Sequence, residues 1–252
     1  MEILTEQRNC ETHGDYEARG FRLVKTVKWA GCPKCEDIRR AEEAKKQEEA
    51  MERERKAAWM RRLNLSGIPE RFHDRRISNY TVESPEMAAA RDTAKEYAQN
   101  FDEALEAGRS MIFCGNVGTG KTHLATAIGM AAMNAGKQVA FTTVMGAIRA
   151  IRQTWRKDSE RSECEAINAF SLPDLLILDE VGQQYGSDGE KVILFDIINS
   201  RYERQRPSLL ISNLDVDGVR DFIGERAFDR LREGGGKVVV FDWGTYRKRV
   251  AA

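Results

Sequence analysis

The stretch Gly115–Thr122, GNVGTGKT, limits this chain more than any other. It fills every fixed position of G-x-x-x-x-G-K-[ST], the Walker A or P-loop pattern. Glycines let backbone N–H groups turn inward around a phosphate chain with no Cβ in the way. Lys121 adds positive charge at the outer phosphates, and the Thr122 hydroxyl is placed to hold Mg²⁺. The flanks agree. Ser110-Met-Ile-Phe-Cys114 is an apolar run that reads as a buried strand, and His123 to Asn134 has helical periodicity with alanine-rich faces. The loop therefore lies between a strand and a helix N-terminus, where the helix dipole favours an anion. The expected nucleotide-binding residues are Gly115, Asn116, Val117, Gly118, Thr119, Gly120, Lys121, Thr122 and His123.

A second signal is Pro173-Asp-Leu-Leu-Ile-Leu-Asp179-Glu180. Four apolar residues make a buried parallel strand with two acids at its carboxyl end, the edge where open α/β sheets bind ligands. Asp179 is expected to order the Mg²⁺ shell and Glu180 to polarise an attacking water. This acid pair favours hydrolysis over transfer to a small acceptor and argues against a small-molecule kinase. Pro207-Ser-Leu-Leu-Ile-Ser-Asn213 is another buried strand, whose terminal amide can sense a γ-phosphate or orient water. The chain is expected to be an α/β protein built on a parallel sheet. Helices are expected over Pro85–Ala107, Val144–Arg156 and Val219–Arg232, with further strands over Val139–Thr143 and Lys237–Asp242.

The helix from Val144 admits two readings. Val144, Ile148, Ile151 and Trp155 share a side, while Arg149, Arg152, Arg156 and Lys157 lie among them. It is either an amphipathic core helix with a charged outer face, or a basic helix that tracks a phosphate backbone with Trp155 free to stack on a base. Net charge does not decide, since 40 Lys and Arg balance 40 Asp and Glu.

Ahead of the nucleotide motifs, Cys10-Glu-Thr-His13 and Cys32-Pro-Lys-Cys35 form two short ligand pairs with zinc spacing. All four positions are filled by ligands, so the expected Zn²⁺ site of Cys10, His13, Cys32 and Cys35 is structural. Phe21 to Trp29 reads as a hairpin arm between the pairs. A segment this small buries little apolar surface, so a metal would supply its stability. Five cysteines is an odd number, and the reducing compartment expected for such a chain argues against a disulfide framework. From Glu36 to about Leu63 the chain is rich in Glu, Lys, Arg and Ala, a strong helix former with few apolar positions. It is either a solvated spacer or a helix that docks on a partner through Trp59 and Met60. Ser66-Gly-Ile-Pro69 breaks it. The expected organisation is a zinc-binding and helical domain over 1–65, a linker over 66–84 and an ATPase domain over 85–252. No apolar signal segment opens the chain and no stretch is long and apolar enough to span a bilayer, so the expected location is cytoplasmic, with no membrane partner.

Together these motifs resemble a family. Walker A, the LILDE and ISN strands, the GERAFDRL helix and the closing FDWGTYRKRV are similar to AAA+ ATPases of the DnaC helicase-loader family, and to the related IstB-type transposition helpers. The resemblance spans roughly residues 65–250. The Cys/His segment is more loosely similar to zinc-bearing helicase-binding domains of some loaders. The resemblance implies a P-loop sheet in AAA+ order and head-to-tail assembly of subunits. It implies sensor 1 at Asn213, an arginine finger at Arg230 with Arg226 as runner-up, and sensor 2 at Arg247. It implies that the region from Val144 to about Ala169 faces single-stranded DNA, with Arg152, Trp155 and Ser187 as contacts. The short chain after Asn213 leaves no room for the usual helical lid, so the lid is trimmed. The implied function is an ATP-dependent loader placing a DnaB-type hexameric replicative helicase on single-stranded DNA. The IstB-like transposition helper is the alternative, and a nucleotide-gated adaptor that does not hydrolyse ATP is a further one.

Overall fold

The computed structural model describes residues 3–23, 26–183 and 188–246. The chain divides into two compact units, residues 1–61 and 62–252.

The first unit is a three-stranded antiparallel sheet followed by most of a long helix. β1 (Ile3–Cys10) pairs with β2 (Gly14–Leu23), which pairs with β3 (Thr26–Trp29). The expected hairpin arm is the β2–β3 half of this sheet. β1 is an addition, and Glu11–His13 form the turn that joins it to β2. A Cβ on Gly20 would lie 2.8 Å from the Trp29 ring, so the strands close directly on one another there. The Arg8 guanidinium lies over that indole, 4.8 Å from the ring centroid. α1 (Pro33–Ser66) is solvated along nearly all its length, as its charged composition requires, and its buried residues are Leu63 and Ser66 in the second unit.

The second unit is a five-stranded parallel sheet between two helical layers. β4 (Met111–Gly115), β5 (Val139–Thr143), β6 (Leu175–Val181), β7 (Ser208–Ser212) and β8 (Lys237–Phe241) stand in the order β5-β6-β7-β4-β8. β7 thus separates the P-loop strand from the strand carrying Asp179. α2 (Pro85–Gln99) and α4 (Lys121–Asn134) cover one face, while α5 (Val144–Gln153), α6 (Glu163–Ser171), α7 (Asp188–Glu203), α8 (Val216–Ile223) and α9 (Glu225–Arg232) cover the other. Strands buried on both faces read as unbroken apolar runs. Ile112, Cys114, Leu176, Leu178 and Leu210 face the five-helix layer, packed on Ile148, Ile151, Leu194 and Phe228. Residues 66–84, read from sequence as a linker, pack within this unit through buried Ser66, Ile68 and Tyr80. Among the described residues no helix is long and apolar enough to cross a membrane.

Three helices differ from expectation. Pro85–Ala107 breaks at Asn100, after which α3 (Phe101–Glu106) begins. Val219–Arg232 breaks at Gly224, whose φ of 85° no helix accommodates, and α8 starts earlier on the Asp215 cap. The helix expected to reach Arg156 stops at Gln153. There the Thr154 hydroxyl donates to the Ile151 carbonyl at 2.6 Å, and a turn follows. The region to Ala169 is accordingly two helices, α5 and α6.

Candidate nucleotide site

β4 ends at Gly115 with φ 115°, and a Cβ there would lie 2.4 Å from the Phe241 carbonyl on β8. Only glycine lets the loop leave the sheet so close to its neighbour. Gly120, φ 94°, is the second such position, because a Cβ would meet the Tyr80 ring at 2.6 Å. α4 begins immediately, at Lys121. The Lys121 ammonium is buried and donates to the carbonyls of Gly115 at 2.8 Å and Asn116 at 2.6 Å. It is therefore held across the loop mouth by the loop itself.

β6 brings its acids to the same edge. The Thr122 hydroxyl donates to Asp179 Oδ2 at 3.2 Å, while Asp179 Oδ1 accepts the Glu180 amide at 2.7 Å. Burial pushes the Asp179 carboxyl above its ordinary range, against the pull of these hydrogen bonds. The β6–β7 register carries one extra residue between Leu178 and Val181, a β-bulge. Glu180 sits in it at φ 62° with an exposed side chain. Asn213 follows β7 on this edge and is exposed. His123 is turned away from solvent: its Nε2–H donates to the Arg76 carbonyl at 2.9 Å, its ring meets Tyr80 edge-on, and burial lowers its pKa.

The donor set fits magnesium and a nucleotide triphosphate. A hydroxyl and a carboxylate already share one point, a cation side chain lies at the loop mouth, and glycines at 115 and 120 leave room where a Cβ would intrude.

Arg230 lies elsewhere. It donates to Asn199 Oδ1 and stacks its guanidinium over Phe195 and Tyr202, at 5.2 and 5.1 Å from the ring centroids. It lines a cleft of about 470 Å³ with Ser110 and Ser208, at the start of β4 and β7. That is the sheet edge opposite its own P-loop. Arg226, one helical turn earlier, is exposed.

On α5, Val144, Ala147, Ile148 and Ile151 face the core while Arg149 and Arg152 are exposed. Arg152 pairs with Glu190 at 3.4 Å. Trp155 was expected on the apolar side, but the turn after Gln153 leaves it 56% exposed. Ser187 and Arg247 fall outside the described residues.

In the first unit, Cys10, His13, Cys32 and Cys35 place their ligand atoms within 4.8 Å of one another. Tetrahedral zinc with bonds of about 2.0–2.3 Å sets its ligands roughly 3.5–3.8 Å apart. The Cys10–Cys35 sulfurs are 3.5 Å apart, and His13 Nδ1 is 3.7, 3.7 and 3.2 Å from Cys10, Cys32 and Cys35. The backbone amide of Thr12 and then the His13 ring draw the Cys10 thiol down to about 6, while hydrogen bonding with Cys10 pushes Cys35 up to about 11.

One buried cation was not singled out from sequence. Arg201 is fully buried on α7 and donates to the carbonyls of Phe170, Ser171, Pro173, Asp174 and Pro207 and to Ser208 Oγ, at 2.5–3.4 Å. It ties the end of α6 to the starts of β6 and β7, which carry the site's acids and amide. Its position in a polar stretch with Arg204 and Arg206 close behind gave no local signal.

Strand order, P-loop and acid-bearing strand define an AAA+ P-loop nucleotide-binding module. A profile of the family described as IstB-like ATP binding protein matches residues 39–232. The chain is 38% identical over 202 residues to the replicative helicase loader DnaC of Escherichia coli (strain K12), spanning 80% of this chain and 81% of that protein. It is 37% identical over 210 residues to the DnaC loader of Buchnera aphidicola subsp. Baizongia pistaciae (strain Bp), spanning 83% and 84%. A crystal structure of the DnaC helicase loader shares the fold, with a TM-score of 0.60 at 19% identity over 69% of this chain and all of that one. The chain belongs to the IstB-like ATP binding protein family.

Proposed function

We propose that this protein is an ATP-dependent loader that delivers a hexameric replicative helicase of the DnaB type to single-stranded DNA. One observation carries the reading: relatives named as replicative helicase loaders match more than four-fifths of this chain, across both nucleotide motifs. The residues of the P-loop, from Gly115 to Thr122, would cradle ATP, with Thr122 and Asp179 holding Mg²⁺. Bound magnesium would neutralise charge on the outer phosphates. Glu180, re-aimed by the bulge, would polarise the attacking water, and Asn213 would orient it or sense the γ-phosphate. Arg247 is proposed as sensor 2, from a tail whose last described residue, Tyr246, bonds the P-loop backbone.

Arg230 cannot serve its own site from the opposite sheet edge, which supports a role across a head-to-tail interface. Arg226, more exposed on the same helix, remains the other candidate. Exposed Arg152 and Trp155 support a grip on single-stranded DNA, with Ser187 proposed as a further contact. The four Cys/His ligands would hold a structural zinc, and that domain would engage the helicase.

The test is co-purification of the full-length protein with a DnaB-type helicase, with and without ATP. A stable complex that releases helicase onto single-stranded DNA is expected. Binding to a transposase and not to the helicase would favour the IstB-type helper instead, a reading that the family description supports.

A further inference from the structure

The outer side of the P-loop is held by both ends of the nucleotide-binding unit. The Tyr80 hydroxyl donates to the Thr119 carbonyl at 3.0 Å, and the Trp243 indole N–H donates to the same oxygen at 3.1 Å. One carbonyl has two lone pairs, and here two aromatics fill both. Next to it, the Tyr246 amide donates to the Gly118 carbonyl at 3.0 Å. The Asn116 side chain donates to the carbonyls of Asp242 and Trp243, and the Phe241 ring, 4.9 Å from Trp243, seats the indole. The Thr81 hydroxyl reaches Tyr246 at 3.4 Å, so the two ends also meet each other.

A trans peptide is planar, with its C=O and N–H on opposite sides. A Thr119 oxygen held outward therefore fixes the Gly120 N–H on the far side, away from both aromatics. The Gly118 oxygen, held by Tyr246, fixes the Thr119 N–H in the same way. Inward-facing amides are what a P-loop offers to phosphate.

We propose that Tyr80 and Trp243 are positioning residues for phosphate binding: by sharing the Thr119 carbonyl they keep the Gly120 amide turned into the cradle before nucleotide arrives. This rests on the ATP-binding reading above. A purely packing role would need the rings and not their polar hydrogens.

The experiment is ATP–Mg²⁺ titration calorimetry on the wild type, Tyr80→Phe, Trp243→Phe and the double variant, each with its thermal midpoint and steady-state kinetics. Each single change leaves one donor on the oxygen and should weaken ATP binding by no more than about threefold. The double change should weaken it by more than about tenfold, beyond the product of the singles. The loss should appear in Kd and KM rather than in kcat. Tyr97→Phe deletes a hydroxyl that donates to the Arg109 carbonyl, away from the loop, and should leave Kd unchanged. In a variant carrying Trp29→Phe, Trp59→Phe and Trp155→Phe, emission from the remaining Trp243 should change as ATP saturates. A folded double variant that binds ATP like wild type, or one showing only the product of the two singles, overturns the proposal. Unchanged Trp243 emission overturns it even if the double variant does not fold. Wild type that binds no ATP would sink the functional reading and this role with it, an outcome distinct from failure of the double variant alone.

Discussion

Removing metal from the first unit should dissolve its sheet and leave the nucleotide-binding unit folded. Among the described residues of 3–61, only Ala18, Gly20 and Cys32 are buried. These, together with half-buried Leu4, Tyr16, Val27 and Trp29, supply on the order of 5 kcal/mol of burial. The Arg8–Trp29 stack adds about 1 kcal/mol or less at such an exposed site. Structural zinc contributes an apparent free energy of about 10–16 kcal/mol at neutral pH. On that balance a zinc ion held by Cys10, His13, Cys32 and Cys35 would be the main source of order, attached at the turn after β1 and at the start of α1. The assay is amide NMR of the full-length protein before and after chelation, alongside zinc analysis. The expected result is one zinc per chain, loss of dispersed β1–β3 signals on removal, their return on adding zinc, and unchanged signals from the nucleotide-binding unit. Dispersed strand signals persisting in protein shown to be metal-free would refute the reasoning, because apolar burial would then suffice.

Lys121→Ala should abolish ATP binding, whereas Glu180→Gln should bind ATP and fail to turn it over; equal loss of nucleotide affinity in both, by calorimetry, would reject that division. Trp155→Ala should weaken ATP-dependent single-strand binding by roughly tenfold or more, since base stacking is worth about 1–3 kcal/mol; fluorescence anisotropy at fixed salt reads this. Arg201→Met should strip a charged donor from five carbonyls and a hydroxyl, costing at least about 4 kcal/mol; calorimetry should find the second unit's midpoint lower by roughly 8–16 °C. Arg230→Ala should bind ATP yet lose about 10³-fold or more in turnover. Mixing it with Lys121→Ala protein should restore activity, and if it does not, Arg226→Ala is the variant to mix next.

The nucleotide motifs were legible because local chemistry fixes them. Glycines, Lys121 and a strand ending in two acids have few alternative uses in that order. β5 and β7 could be read because both faces of a parallel strand are apolar. α7 could not, because Val192-Ile193-Leu194-Phe195 followed by Ile197-Ile198 has strand-like content in a helix buried on several sides. The break at Gly224 needed its φ, and the end of α5 turned on one hydroxyl, Thr154, bonding backward. Trp155 shows the same limit: helical periodicity put it on the apolar face, and a turn two residues earlier released it to solvent. Arg201 was invisible because its partners are carbonyls from two stretches, 170–174 and 207–208, and the first of these is brought to it only by the tertiary fold.

The bulge in β6 joins strand geometry to the proposed chemistry. In a regular strand Asp179 and Glu180 would point to opposite faces of the sheet, and no single ligand could meet both. The extra residue between Leu178 and Val181 breaks that alternation, and Glu180 takes up the turn at φ 62°. A non-glycine residue held there costs about 1–3 kcal/mol and persists only where its surroundings impose it. Here Ser212 does so in part: its hydroxyl donates to the Val181 carbonyl at 2.7 Å and accepts the Leu214 amide at 3.1 Å, which ties the bulge to the end of β7. Leu214 in turn gives its carbonyl to the Gly115 amide at 2.9 Å. A chain of hydrogen bonds thus runs from the bulge that holds Glu180, through the Ser212 hydroxyl and Leu214 on either side of Asn213, to the first glycine of the P-loop. Glycine at 180 would relieve the strain but carry no carboxylate. A strained glutamate at that position is what the proposed water-polarising role requires.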